Sequence, residues 1–188
     1  LHGRDRRQRQ MCIRDSGLHV PFIAKWPARL PAGKTYQQAV HHMDLMPTIA
    51  AAANAALPTD RKIDGVDLLP FILGERSEPP HRTLFWRSGH HQSVLHEDWK
   101  LIRANQPEQP PGTPQKKFLF HLAADPTEQE NLAEQRPEKV AELEALLAAH
   151  NAEQVDPLWP SVIQGPMLID KHGGQPYTPG DDYIYWPN

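Results

Sequence analysis

The chain has 188 residues, enough for one domain or for a small domain joined to part of a larger one, and its 20 prolines argue against a helical bundle. A net charge of −3 does not suit a nucleic-acid-binding protein, and no apolar run approaches the length of a membrane span. The single Cys12 excludes an internal disulfide framework and a cysteine zinc cluster.

Residues 1–16 differ from the rest of the chain. Five arginines and two aspartates give this stretch a charge of +3, which leaves −6 for the remaining 172 residues. It has almost no apolar content and no periodicity. A basic tail that binds RNA or anionic lipid is one interpretation. We favour a disordered segment or one foreign to the gene.

Residues 17–80 predict one strand and two helices. The apolar run 20–26, ended by Pro27, is typical of a strand buried in a parallel sheet. Residues 30–34 predict a turn. The first helix is expected to start at Asp44, acting as N-cap, and to run to Ala53. The second is expected over 68–73, capped by Asp67 and stopped by Gly74.

Residues 81–152 predict a small α+β unit, a four-stranded antiparallel sheet covered by one helix. The helix is expected from Pro137 to about His150, with Val140, Leu143, Leu146 and Leu147 on one face. Turns are expected at residues 89–91 and 97–98, and a proline-rich loop at 106–115. The four strands are expected at residues 83–87, 92–96, 99–103 and 117–122.

Residues 153–188 show no period. Six prolines interrupt them, yet the segment holds aromatic side chains that are costly to leave in water. We expect an extended tail that packs against the body of the protein.

Together these stretches resemble type I sulfatases of the alkaline-phosphatase-like superfamily. The similarity covers roughly residues 17–152 and is specific because the pieces occur in the family's order and spacing. They are 17–27 (GLHVPFIAKWP), 42–48 (HMDLMPT), 63–70 (IDGVDLLP), 98–102 (DWKLI) and 122–132 (LAADPTEQENL).

The resemblance implies that residues 17–80 are the C-terminal end of the large sulfatase α/β domain and that 81–152 are the C-terminal subdomain. It implies a parent enzyme that hydrolyses sulfate esters with a formylglycine and a bound divalent cation, usually calcium. Its substrate would be a sulfated small molecule or polysaccharide, and its location periplasmic or extracellular. It implies no nucleic-acid or membrane partner.

The catalytic chemistry of that family is not found in this chain. Formylglycine arises from a Cys or Ser with Pro two residues on and Arg four on, but Arg14 and Ser16 occupy these positions after Cys12. No serine satisfies the motif either. The family's metal ligands lie upstream, and Asp181-Asp182 stand at the wrong end. We therefore predict no catalytic or metal-binding residue here and no activity for the isolated chain.

The remaining candidate role is substrate contact. Arg87, His90 and His91 concentrate cation-capable side chains in one loop, which suits an anionic saccharide, although a polar hairpin turn explains them equally well. His19 stands beside the family's active-site lysine loop and is a weaker candidate. His41-His42 are not expected to share a metal, because adjacent residues of an extended segment point to opposite faces.

Most of the recognisable residues also have a structural interpretation. Helix or turn capping would account for Asp44, Asp67 and Asp125, and Glu128 would complete a capping-box-like pair with Asp125. Trp99 and Leu101 alternate with Lys100 and are expected to face the core of the sheet.

Two other functions stay open at this stage. One is a fragment of a related phosphodiesterase, which would share the core sheet. The other is a non-enzymatic module that binds an acidic glycan through the His90-His91 loop.

Overall fold

The computed structural model describes residues 20–88, 91–104, 116–155, 164–168 and 183–187. Phe22–Leu84 form one compact unit, and Phe85–Asn188 together with Leu1–Pro21 form another. The predicted site residues His19 and His90 lie outside the described residues, as do residues 1–16. Among the helices that the structure describes, none is long and apolar enough to cross a membrane.

The predicted strand at residues 20–26 is wrong. This segment has no regular structure, and Val20, Phe22 and Ile23 are exposed, Ile23 to 89%. A strand is stable only when a neighbouring strand pairs with its amides and carbonyls, and none pairs with this segment among the described residues. The apolar run alone was therefore not sufficient evidence for a strand.

Phe22–Leu84 contain a 3-10 turn, His42–Asp44, and two helices, α1 (Leu45–Ala52) and α2 (Leu69–Leu73). Both helices were predicted to within one residue at each end. Pro47 is tolerated because it lies in the first turn of α1. Asp67 Oδ1 accepts the amide hydrogen of Leu69 at 3.0 Å, and Gly74, with φ of 83°, ends α2 as predicted.

Four antiparallel strands form the sheet of the second unit in the order β1-β2-β3-β4. Each agrees with its predicted bounds to within one residue. His91, expected in the turn, instead begins β2. Glu97, with φ of 54°, lies in the predicted turn between β2 and β3. The strands are β1 (Thr83–Ser88), β2 (His91–His96), β3 (Trp99–Ala104) and β4 (Lys116–His121).

Helix α3 (Pro137–Ala152) covers one face of this sheet, as predicted, and continues two residues beyond His150. Every second residue of β2, β3 and β4 faces α3, and the residues of α3 that pack against the sheet recur at intervals of three and four positions. The resulting core holds Val94, Leu101, Leu119, Val140, Leu143 and Leu147, with Trp99 packed against it.

The opposite face of β3 and β4 is also buried. Ile102, Phe118 and Phe120 lie there, and so does Lys100, which pairs with Glu128. Glu128 therefore does not form the predicted capping-box pair. Asp125 does organise its turn, since its Oδ2 accepts the amide hydrogens of Gln129 at 2.6 Å and Glu130 at 2.9 Å.

The C-terminal segment contains regular structure that its sequence did not indicate. β5 (Gln164–Leu168) and β6 (Tyr183–Pro187) pair antiparallel, with Pro166 opposite Tyr185. A two-stranded ribbon leaves one edge of each strand unpaired, and proline is acceptable at such an edge. The prolines were therefore not evidence against strands here.

Candidate functional site

Arg87 lies near the end of β1, on the rim of a small cleft. It is exposed, while Phe85, two residues earlier on the same face, packs against the core under α3. The cleft has a volume of about 50 Å³ and lies between the end of β1, the start of β2 and the last turn of α3. Its lining residues are Phe85, Trp86, Arg87, Gln92, Leu147, His150, Asn151 and Gln154.

Two contacts between the sheet and α3 fix the walls of this cleft. The rings of Phe85 and His150 stack with centroids 4.1 Å apart and planes inclined by 2°. Gln92 and Asn151 exchange hydrogen bonds, each amide nitrogen donating to the other's carbonyl oxygen at 3.2 Å. Each amide keeps a second N–H and further acceptor capacity, so the wall can still bind a polar ligand.

The structure describes only part of the predicted site. His91 is the first residue of β2, and His19 and His90 lie outside the described residues. Arg87 is brought together with Gln92, His150 and Asn151, which the sequence did not single out. The sequence contained one signal for Gln92, which stands two residues before the core position Val94. Alternation along a strand places both residues on the same face of the sheet.

The unit Phe22–Leu84 contains a second polar cluster, centred on Asp44. This carboxylate is fully buried and does not cap α1. Its Oδ2 accepts the amide hydrogen of His41 at 2.8 Å, and its Oδ1 accepts that of Val66 at 2.9 Å. The Nε2 of His81 lies 2.7 Å from the same Oδ1. The predicted capping of α1 is wrong, but Asp44 does cap a turn, because its Oδ2 completes a capping box with His41 at the start of the 3-10 turn. Its Oδ1 binds groups 22 and 37 residues away.

The rings of His41 and His42 lie side by side, with centroids 4.2 Å apart. Adjacent residues of an extended segment would point to opposite faces, but His42 begins the 3-10 turn and the segment does not continue as an extended one. The Nδ1 of His41 accepts the amide hydrogen of Met43 at 3.3 Å. Burial, and then the neighbouring His42, lower the pKa of His41 below its ordinary value.

Family comparison connects this architecture to known proteins. The profile of the family described as "N-sulphoglucosamine sulphohydrolase, C-terminal" matches residues 7–154, which include both helices of the first unit, the four-stranded sheet and α3. The chain belongs to this sulfatase family. The fold and the recognition expected from the sequence are therefore confirmed, and the match begins ten residues before Gly17.

Individual relatives are sulfatases as well. Rat steryl-sulfatase is 34% identical over 110 residues, which are 53% of this chain and 18% of the relative. Bovine arylsulfatase A is 32% identical over 164 residues, which are 73% of this chain and 32% of the relative. The sulfatase chain therefore spans about a fifth to a third of the length of these relatives.

A solved structure has the same fold. It is a Bacteroides thetaiotaomicron protein from a genetic locus for the metabolism of multiple glycosaminoglycans, with a TM-score of 0.57 and 26% identity. The match covers 74% of this sulfatase chain and 30% of that protein.

The residues that the structure describes do not fit the divalent cation of the family. Over residues 20–88, 91–104 and 116–155, no three His, Cys, Asp or Glu side chains converge so as to hold a metal ion. The oxygens of Asp44 are already engaged by two amides and His81. No step of the sulfatase reaction is therefore assigned to a metal held by these residues.

Proposed function

We propose that this chain is the C-terminal part of an enzyme that hydrolyses sulfate esters of carbohydrates, and that its own contribution is to bind the substrate. The observation that carries the proposal is the family match over residues 7–154, which spans both units. Arylsulfatase activity on small aromatic esters is the related alternative, since bovine arylsulfatase A matches over 73% of the chain.

Catalysis would depend on residues outside those described. The family implies a formylglycine nucleophile and a calcium ion, and these would supply attack on sulfur and polarisation of the sulfate oxygens. Cys12 lacks the surrounding Pro and Arg that the formylglycine motif requires. The isolated chain is accordingly expected to be inactive.

The substrate-binding role rests on Arg87 with His90 and His91, and more weakly on His19. An exposed guanidinium donates paired N–H groups to two oxygens of a sulfate, and protonated imidazoles add charge-assisted hydrogen bonds. The known glycosaminoglycan context of the Bacteroides relative supports a saccharide rather than a small aromatic ester.

The test begins with the genomic sequence upstream of Gly17. A reading frame that continues into a Cys/Ser-x-Pro-x-Arg motif provides the longer protein, which is then assayed for sulfate release from sulfated oligosaccharides and an aryl sulfate with saturating calcium. We expect release from the oligosaccharides, and an Arg87→Gln variant should raise KM more than it lowers kcat. Hydrolysis of phosphate diesters without sulfate release would overturn the proposal.

A further inference from the structure

A row of polar side chains crosses the sheet beside the cleft. Arg103 of β3 stands opposite Gln92 of β2 on one side and opposite Lys117 of β4 on the other. All three contact the same helix, Gln92 through Asn151 and the two cations through Glu144. They therefore share the face of the sheet that α3 covers.

Arg87 extends this row to the edge strand. Only two residues separate β1 from β2, and Arg87 and Gln92 line the same cleft. Neighbouring strands are about 4.8 Å apart, so the three cations are spaced by one or two strand separations, about 5 to 10 Å. This is comparable with the repeat of charged groups along a polyanionic sugar chain.

One carboxylate limits the charge of the row. Glu144 of α3 lies 2.8 Å from Lys117 Nζ and 3.9 Å from Arg103 Nε. Arg103 and Lys117 still expose 31% and 40% of their side chains, and the 3.9 Å separation is too long for a hydrogen bond. Among the residues that the structure describes, three cations of the row face one carboxylate, which is a local excess of two positive charges.

We propose that the row Arg87–Gln92–Arg103–Lys117 binds successive anionic groups of a sulfated glycan chain. This rests on the proposed function and narrows its substrate to a polyanion of several sugar units, as opposed to a single aryl or steroid sulfate. The guanidiniums of the exposed Arg87 and the half-buried Arg103 pair with sulfate oxygens, and the Gln92 and Asn151 amides bind sugar hydroxyls. The stacked His150 and Phe85 rings form the cleft wall.

The surrounding charge favours a glycan over a nucleic acid. Outside residues 1–16 the chain carries −6, which repels an extended phosphate backbone beyond the width of the row. A short sulfated oligosaccharide confined to the four strands avoids most of this repulsion. The glycan is therefore the ligand that fits both the local excess of positive charge and the overall negative charge.

The experiment measures binding of the whole chain to a fluorescently labelled heparin-derived hexasaccharide, without any hydrolysis. We expect the double variant Arg103→Gln/Lys117→Gln to weaken binding at least tenfold and to reduce its salt dependence. We expect Glu144→Gln to strengthen binding several-fold, because it frees both cations. This gain cannot arise from misfolding, so the proposal remains testable if the double variant is unstable.

A charge-matched control is the double variant Arg61→Gln/Lys62→Gln in the other unit, where both side chains are at least two-thirds exposed. It removes the same two charges and should leave affinity within about twofold. Equal losses in both double variants, no gain in Glu144→Gln, or equal binding of a single-stranded DNA of the same charge would each overturn the proposal. If the longer protein releases sulfate but the row variants bind the hexasaccharide as tightly as the native chain, the row is not the binding site and the proposed function still holds.

Discussion

The Nζ of Lys100 lies 2.6 Å from Oε1 of Glu128, and the two side chains expose only 4% and 3% of their surface. The pair joins the centre of β3 to a turn 28 residues later, where Glu128 adopts a positive φ of 56°. A buried ion pair adds little net stability, but removing one partner leaves an uncompensated charge. The pair therefore fixes the position of the turn more than it stabilises the fold.

Replacing Lys100 with methionine should lower the free energy of unfolding by about 3 kcal/mol, because the Glu128 carboxylate is left buried without its cation. Urea denaturation followed by circular dichroism measures the change. Lys62→Met is the control, since Lys62 is 76% exposed and should cost less than about 0.5 kcal/mol. Equal losses in the two variants would contradict the structural role of the pair.

Replacing Gly65 with alanine should be strongly destabilising. A Cβ at this position would clash with the carbonyl oxygen of Met43, which is backbone and cannot rotate away. We expect a loss of about 3 kcal/mol, at the upper end for overpacked sites. Gly33→Ala provides the comparison, because its Cβ would meet nothing within 4 Å and only its φ of 71° is unfavourable. A smaller loss at Gly65 than at Gly33 would mean that the close approach is absent.

His41 should make stability depend on pH. Because burial lowers its folded pKa below 6.5, the unfolded chain binds the proton more readily, and stability falls as the pH drops below about 6.5. As the pH is lowered from 8 to 5, the urea midpoint of unfolding should fall less steeply for His41→Asn than for the native chain. His42, Asp44 and His81 face the same cluster, so the difference between the two curves isolates His41. Parallel curves would exclude this origin.

The hydroxyls of the buried Ser93 and the half-buried Thr48 should respond differently to removal. Ser93 Oγ is fully buried and has no hydrogen-bond partner among the described residues, so Ser93→Ala should be neutral or stabilise by up to about 1 kcal/mol. Thr48 Oγ1 accepts the amide hydrogen of Leu68 at 2.9 Å and donates to the carbonyl of Asp44 at 2.6 Å. Thr48→Ala should therefore cost about 1–2 kcal/mol. Thermal unfolding of both variants checks the order, and the reverse order would refute the assigned bonds.

The sequence predicted local structure better than long-range contacts. The strands β1–β4 and helix α3 followed from alternation, helical spacing and turn residues, which are all properties of neighbouring positions. The partners of Asp44 and Glu128 were missed because they lie 22 to 37 residues away. The pairing of β5 with β6 was missed for the same reason, since register between separated strands leaves little trace in either one.

In the candidate site, too, local features were predicted from the sequence and long-range contacts were missed. Arg87 was recognised from its loop, but the row through Arg103 and Lys117 depends on which residues face each other across β2, β3 and β4. Arg103 stands two residues from the core residue Leu101, and Lys117 stands two residues from the core residue Leu119. The face of the sheet on which each cation lies was therefore predictable. Its neighbours across the sheet were not, because they require the register.

The hydrogen bonds around Asp44 and Thr48 have a consequence for the residues between α1 and α2. The amides of Val66 and Leu68 donate hydrogen bonds to Asp44 and Thr48, respectively. Residues 53–62, which lie between these two pairs of residues in the sequence, are almost all exposed and irregular. Lengthening a loop whose two ends are already fixed costs little, about 0.6 kcal/mol for each doubling. Insertions at residues 53–62 should therefore leave both helices in place, so this loop can acquire new sequence without refolding the unit around it.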